Sequence, residues 1–292
     1  MMRRREGRAG FMFALPWLFG LSAFMFYPLL MSLYLSFCDY SVLRPPVWVG
    51  TANYTELFHD EVFWITVKNT IFYASVSLPL SMVIGIALAM LLNTNVKGMA
   101  IYRTIFFIPS LVPMVSLAML WLWLLNGDYG VINNALGVIG IKGPNWMSDV
   151  AWTKPALILL SVWGVGNAML IYLASLQDVP TSLLEASELD GATPWQKTRN
   201  VTLPMISPVI QFNMIMGIIG SLQVFAVPFI MFPGGSPARS TYFYSEYLYD
   251  NAFLYSRMGY ASAMGWVLFI VILILTLLAL KLSNRHVHYG GV

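Results

Sequence analysis

The residues able to do chemistry are few, and they gather between Val179 and Pro208 in the run V-P-T-S-L-L-E-A-S-E-L-D-G-A-T-P-W-Q-K-T-R-N-V-T-L-P-M-I-S-P. Carboxylates stand at Glu185, Glu188 and Asp190, and cations follow at Lys197 and Arg199. The chemistry they suit is docking, because an ionised carboxylate can form charge-assisted hydrogen bonds to a basic group on another chain. Ala186 permits close approach, and Gly191 can adopt the left-handed backbone of a bend. For catalysis no constellation emerges. His59 sits in a loop and His286 and His288 in the carboxyl tail, far from other metal-ligating types. Asp60 and Glu61 read as a solvated loop edge, and no G-x-x-x-x-G-K-[ST] cradle for phosphates occurs. Neither a metal nor a cofactor is expected in this chain.

Helix signals divide the polar run in two. Ser182 with Glu185 three residues on, just after Pro180, forms a capping-box pattern for one short helix, which Gly191 can end. Thr193, Pro194 and Gln196 have the spacing that starts a second. Leu183, Leu184, Ala186 and Leu189 give the first helix an apolar side beside its charges. An apolar edge ringed by charge suits a partner, although a solvated loop would carry the same helix signals.

The elements that must position this run are membrane spans. The 292 residues are 58% hydrophobic and only 10% charged, against about 25% charged for a soluble domain. Residues 11–37, 69–92, 104–125, 155–176, 209–232 and 261–282 read as six spans. Each is long enough, at about 1.5 Å per residue, to cross a hydrocarbon core of about 30 Å. The expected fold is all-α and polytopic, one transmembrane domain over residues 1–292 with 177–208 as a helix-turn-helix loop. Asp39 to Lys68 reads as a polar loop, and a short interfacial helix is expected near Val131 to Ile139. The first run, following Arg3, Arg4, Arg5 and Arg8, is longer than a signal-peptide core and reads as an uncleaved span. The single Cys38 excludes an intramolecular disulfide.

Positive charge orients the spans. With both termini inside, the inner segments carry those four arginines with Lys97, Arg103, Lys197, Arg199, Lys281 and Arg285. The outer segments carry Arg44, Lys68, Lys142, Lys154, Arg239 and Arg257. The run from Val179 to Pro208 then faces the cytoplasm. The net charge of +3 thus concerns topology and lipid, with no sign of nucleic-acid binding.

The spans hold essentially no Asp, Glu, Lys, Arg or His, which argues against ion coupling through a buried carboxylate. They hold neutral polarity instead: Ser161, Trp163, Gly164, Gly166, Asn167 and Tyr172 in the fourth, Asn213, Gly217, Gly220, Ser221 and Gln223 in the fifth. Asn167 and Gln223 should face the bundle or a cavity. Amides with an indole suit an uncharged polyhydroxylated ligand, and close helix packing is the other use of these residues, above all of Gly217 and Gly220.

E-A-x-x-x-D-G-A followed by L-P resembles the cytoplasmic loop of type I ABC-importer permeases. Here those residues are Glu185, Ala186, Asp190, Gly191, Ala192, Leu203 and Pro204, with Ser187 where the motif has Ala. The segments Leu15 to Phe37, Arg103 to Pro109 and Gly234-Gly235 are similar to the maltose- and glycerol-phosphate-type sugar permeases, on the F-type side. That resemblance implies a loop coupled to an ATPase, a second homologous permease, two ATP-binding subunits that hold ATP and Mg, and an external solute-binding protein. It also implies a bacterial or archaeal plasma (inner) membrane and a sugar-like substrate. The family's pocket, carried over by counting from Glu185, falls on Leu160, Trp163, Gly164, Asn167, Gly217, Gly220, Ser221 and Val224, with Gln223 alongside. The long outer insertion of the maltose-type member is absent, so contacts made there are not expected.

Overall fold

In hydrocarbon an apolar run satisfies its own backbone by forming helix. A computed structural model describes residues 2–94 and 96–283, and Arg285, His286 and His288 lie outside them. Among the described residues four helical runs are long and apolar enough to cross a bilayer: Phe11–Ser36, Glu61–Leu92, Ser207–Met231 and Met258–Ser283. Two bent pairs also qualify, Met99–Leu111 with Met114–Leu124 and Val150–Trp163 with Gly166–Gln177. Counting each pair as one span gives the six expected.

Several boundaries differ from the sequence expectation, for identifiable reasons. The second span begins at Glu61 instead of residue 69, because Asp60 Oδ1 accepts the Val62 amide at 2.8 Å and caps the helix. The preceding loop is also more ordered than expected. It holds an antiparallel ladder of Cys38–Asp39 with Val47–Trp48, then the helix Ala52–His59. The third span is no straight rod: it starts at Met99 and turns by 100° across Ile108–Leu111 and Pro113. Pro109 and Pro113 lack the amide that would carry the helix through. The fourth starts at Val150, capped by Asp149 Oδ1 on the Ala151 amide, and bends by 42° after Trp163. The fifth is helical over Ser207–Leu222 and resumes at Ala226–Met231. In the first span a π-helical turn, Ser22–Phe26, precedes Pro28, whose ring would otherwise meet the carbonyl four residues back.

The chain packs as two compact units. One takes in the chain up to Phe63 with Tyr247–Ile270, the other Trp64–Glu246 with the chain from Val271 onward. Within the second unit one buried cluster gathers Tyr73, Trp121, Leu125, Trp146, Leu157, Leu160 and Phe232. Another gathers Ala89, Leu92, Met169, Tyr172, Leu176 and Ile206.

Asp60 anchors the first unit and is no solvated edge. Its Oδ2 accepts the hydroxyls of Tyr247 and Tyr260, the latter at 2.8 Å. Burial pushes the carboxyl's pKa up, but hydrogen bonds from Tyr247, Tyr260 and the amides of Val62 and Phe63 outweigh it and hold the group below its ordinary range. Burial and the same carboxylate push the Tyr247 hydroxyl up to about 12. A lowered folded pKa stabilises fully above the ordinary aspartate value of about 3.9, and that stabilisation is lost as pH falls through the folded value. Asp60→Asn should therefore cost about 1–3 kcal/mol at pH 7. It should also shallow the fall in melting temperature below about pH 4; an acid limb identical to wild type would refute the role.

Candidate functional site

The docking run folds as the helix-turn-helix that its residues indicate. The helix Thr181–Leu189 ends in a Schellman arrangement: the Ala192 amide donates to Ser187 O and the Gly191 amide to Glu188 O, each at 3.0 Å. Gly191 sits at φ +74°, in the region that favours glycine, with open space where a Cβ would stand. A second helix, Pro194–Lys197, begins with the capping box on Thr193 and Gln196, and continues through a π-helical turn, Thr198–Thr202, to Leu203 and Pro204. The box expected on Ser182 does not form. Helix begins one residue earlier, at Thr181, so Ser182 already lies in its first turn without a capping bond.

Two kinds of apolar residue line this element. Leu184 and Leu203 pack on the cluster that contains Tyr172 and Ile206. Leu189, 90% exposed, and Trp195, 69% exposed, point away from any packing within the chain. Glu185, Ala186 and Asp190 are exposed beside them, and Ser187 is half-buried, its hydroxyl donating to Leu184 O. Glu188 pairs with Lys197 between the two helices. The element thus has an inner face fixed to the membrane helices and an outer face with apolar and acidic groups unused.

A cavity of about 470 Å³ opens among the second, fourth and fifth spans. It brings together Gly164, Asn167 and Gly217 of the expected pathway, with Ser161, Tyr172 and Asn213. Its walls also include Leu78, Ser81 and Met82 of the second span and Phe212 and Met216 of the fifth, which the sequence reading did not single out. Ser77 and Ser81, one turn apart around Pro79, were the available signal. Ser161 and Asn213 commit donors to the backbone, at Ile158 O and Val209 O, and Asn213 keeps its Oδ1 to accept. Tyr172 is fully buried, and its hydroxyl has no hydrogen-bond partner among the described residues. No charged side chain lines this space.

The other expected pathway residues lie elsewhere. Leu160 is buried in the Trp121 cluster, and Val224 packs against the same cluster. Trp163 meets Trp121 edge to face at 5.9 Å, and the aromatic residues in the cavity lining are Tyr172 and Phe212. Ser221 borders a smaller hollow with Ser75 and Leu78. A Cβ on Gly220 would stand in open space, and Gln223 is exposed where the helix ends.

Residues 81–289 match the model of the binding-protein-dependent transport system inner membrane component family. The chain belongs to this family. It is 39% identical over 290 residues to the probable ABC transporter permease protein YesP of Bacillus subtilis (strain 168), covering 98% of this chain and 94% of that one. It is 34% identical over 275 residues, 92% of each chain, to the lactose transport system permease protein LacF of Rhizobium radiobacter. Among solved structures it matches a chain of a bacterial ABC transporter involved in the import of the acidic polysaccharide alginate, with a TM-score of 0.85. There the identity is 26%, over 97% of this chain and 98% of that one. The protein is thus a multi-pass permease subunit of a transport system, and not an enzyme. The family match contains the whole docking loop and every cavity residue except Leu78.

Two glycines decide how closely this permease's spans approach around the cavity. A Cβ on Gly166 would stand 2.7 Å from Phe106 O and 3.0 Å from Phe107 Cα, which are backbone atoms and cannot swing away. A Cβ on Gly217 would meet Leu78 Cδ1 at 2.2 Å, the far end of a flexible side chain. Gly166→Ala should destabilise by about 3 kcal/mol or more and Gly217→Ala by about 1 kcal/mol. Adding Leu78→Ala should relieve the crowding at Gly217 and leave Gly166→Ala unrelieved, as read from thermal melts of the purified protein. Equal effects of the two glycine substitutions would contradict this account.

Proposed function

We propose that this chain is the F-type permease subunit of an ATP-driven importer and forms, with a second homologous permease, the path for a sugar or related polyhydroxylated solute. The observation that carries the reading is the uncharged cavity, lined by the amide residues Asn167 and Asn213 and the hydroxyl residues Ser81 and Ser161 among apolar walls. Amides and hydroxyls exchange hydrogen bonds with sugar hydroxyls, while Phe212 and the methionines can cover the apolar faces of a ring. The names of relatives support the class: one is a lactose permease, and another is the trehalose/maltose transport system permease MalF of Thermococcus litoralis. A solved relative was crystallised with an alginate pentasaccharide-bound periplasmic protein, which supports an external binding protein here.

Two ATP-binding subunits, holding ATP and Mg, complete the assembly under this reading. The distribution of Arg and Lys supports a cytoplasmic side for both termini and the docking loop, and the likeness to importer permeases supports the plasma membrane of a bacterial or archaeal cell. A ligand moves an equilibrium only by binding one state better than another, so the cycle needs energy from closure of the ATPases on the loop's exposed face. Glu185, Ala186, Asp190 and Gly191 then govern coupling, whereas Asn167, Tyr172 and Asn213 govern passage of the solute.

The test separates these roles in the assembled complex in proteoliposomes. Gly191→Pro should abolish stimulation of ATP hydrolysis by the sugar-loaded binding protein, since proline cannot take φ +74°. Asn213→Leu and Asn167→Leu should each lower uptake about fivefold through one lost hydrogen bond, with ATP hydrolysis retained. Full stimulation in Gly191→Pro would overturn the loop's role, and unchanged uptake in both cavity variants would overturn the cavity's.

A further inference from the structure

We propose that the helix Val131–Val138, with the chain after it to Ile141, is a lipid-binding foot seated in the headgroup–acyl boundary of the bilayer. The helix is apolar on two sides. Ile132 and Leu136 pack against the cluster of Trp121, Leu125 and Trp146. Val131, Ala135, Val138 and Ile139, which share one face by helical spacing, are exposed, Val138 by 87% and Ile139 by 68%. Ile141 and Tyr129 extend the exposed strip on either side.

Its level relative to the bilayer follows from what it packs on. Trp121 and Leu125 mark the end of the membrane helix Met114–Leu124, and Trp123 is exposed at the same end. Tryptophan at a helix end, a tyrosine and a nearby lysine are the residues that collect at the membrane–water interface. The strip is therefore continuous with the exposed side of the apolar helix Met114–Leu124. Its charge composition favours lipid over a detachable protein: Lys142 is the one charged residue from Tyr129 to Gly143, and it suits anionic headgroups.

The foot is held rigidly. Asn133 Nδ2 donates to Gly127 O at 3.0 Å and to Pro144 O at 3.1 Å, and its Oδ1 accepts from Trp146 Nε1 at 2.7 Å. A Cβ on Gly143 would stand 2.2 Å from that same Oδ1, so the clasp requires glycine there. A helix fixed by its own loop can seat in lipid without ordering cost on each encounter. This inference needs only the membrane location of the chain and stands whatever solute is carried.

Nitroxide labels at Val138, Ile139 and Asn134, each placed singly on a Cys38→Ser background, test it in the complete transporter. The complex is held in nanodiscs of phosphatidylcholine and phosphatidylglycerol, and retained ATP hydrolysis reports folding. Labels at 138 and 139 should collide more with oxygen than with a water-soluble nickel chelate, at a depth of about 5–10 Å. The label at 134 should show the reverse, and none should change when the binding protein is added. Nickel-accessible labels at 138 and 139 would place the face in water. Labels shielded from both reagents would place it under another protein chain, and either outcome overturns the foot.

Discussion

Hydrocarbon offers the backbone no water, so every interruption of a span has to be answered from inside the protein. This chain interrupts its spans at Val112–Pro113, at Gly164–Val165 and at Gln223–Phe225. The first two answer each other. Gly166 lets the fourth span lie against Phe106 and Phe107 just before the third one turns. Carbonyls near the breaks are taken up locally: Ser110 Oγ donates to Phe107 O, Ser161 Oγ to Ile158 O, and the Val165 amide to Val162 O. The cavity opens on this same region, with Gly164, Val165 and Asn167 in its wall. Irregular backbone at membrane depth is tolerated where it is buried or lines a cavity, and here it does both.

The scarcity of charge in the spans has a second consequence. The ion pairs of Glu188 with Lys197 and of Glu56 with Arg257 lie in polar connecting segments. Exposed pairs of this kind contribute about 0–1 kcal/mol each. The docking element therefore does not owe its shape to Glu188 and Lys197. Its shape comes from backbone constraint: the left-handed Gly191, the paired bonds that close Thr181–Leu189, and the reciprocal bonds of Thr193 with Gln196. That leaves Glu185 and Asp190 without structural duty and available for the docking role proposed above.

Much of this was legible in the sequence, and each departure has a physical cause. Apolar length located six crossings, and the Gly191 and Thr193 signals named the bend and the second helix start, because each depends on local backbone chemistry. Span starts were placed too late at Glu61, Met99 and Val150 because polar residues there read as loop. In fact Asp60 and Asp149 cap helices that extend beyond the apolar run. The pathway positions counted from Glu185 assume straight helices. A bend of 42° after Trp163 leaves Leu160 and Trp163 on the Trp121 side while Gly164 and Asn167 turn to the cavity. The break after Leu222 separates Val224 from Gly217 in the same way. Ser81, Phe212 and Met216 were hidden because single residues in an apolar run carry no periodic signal.

The docking element and the cavity are joined by one packed cluster. Tyr172, part of the cavity wall, lies in the same buried group as Met169, Leu176, Val179 and Ile206, and Leu184 and Leu203 of the docking element pack against that group. Gly85 lets the ring of Tyr172 sit 3.3 Å from where a Cβ would be, so the second span is pressed against it too. Close-packed interiors transmit displacement because they have little room to absorb it. A push on the exposed face of Thr181–Leu189 reaches Leu184 on its inner face, and Leu184 cannot move without the cluster around Tyr172 repacking. The wall of the cavity nearest the docking element is thus the wall that a mechanical input would move first.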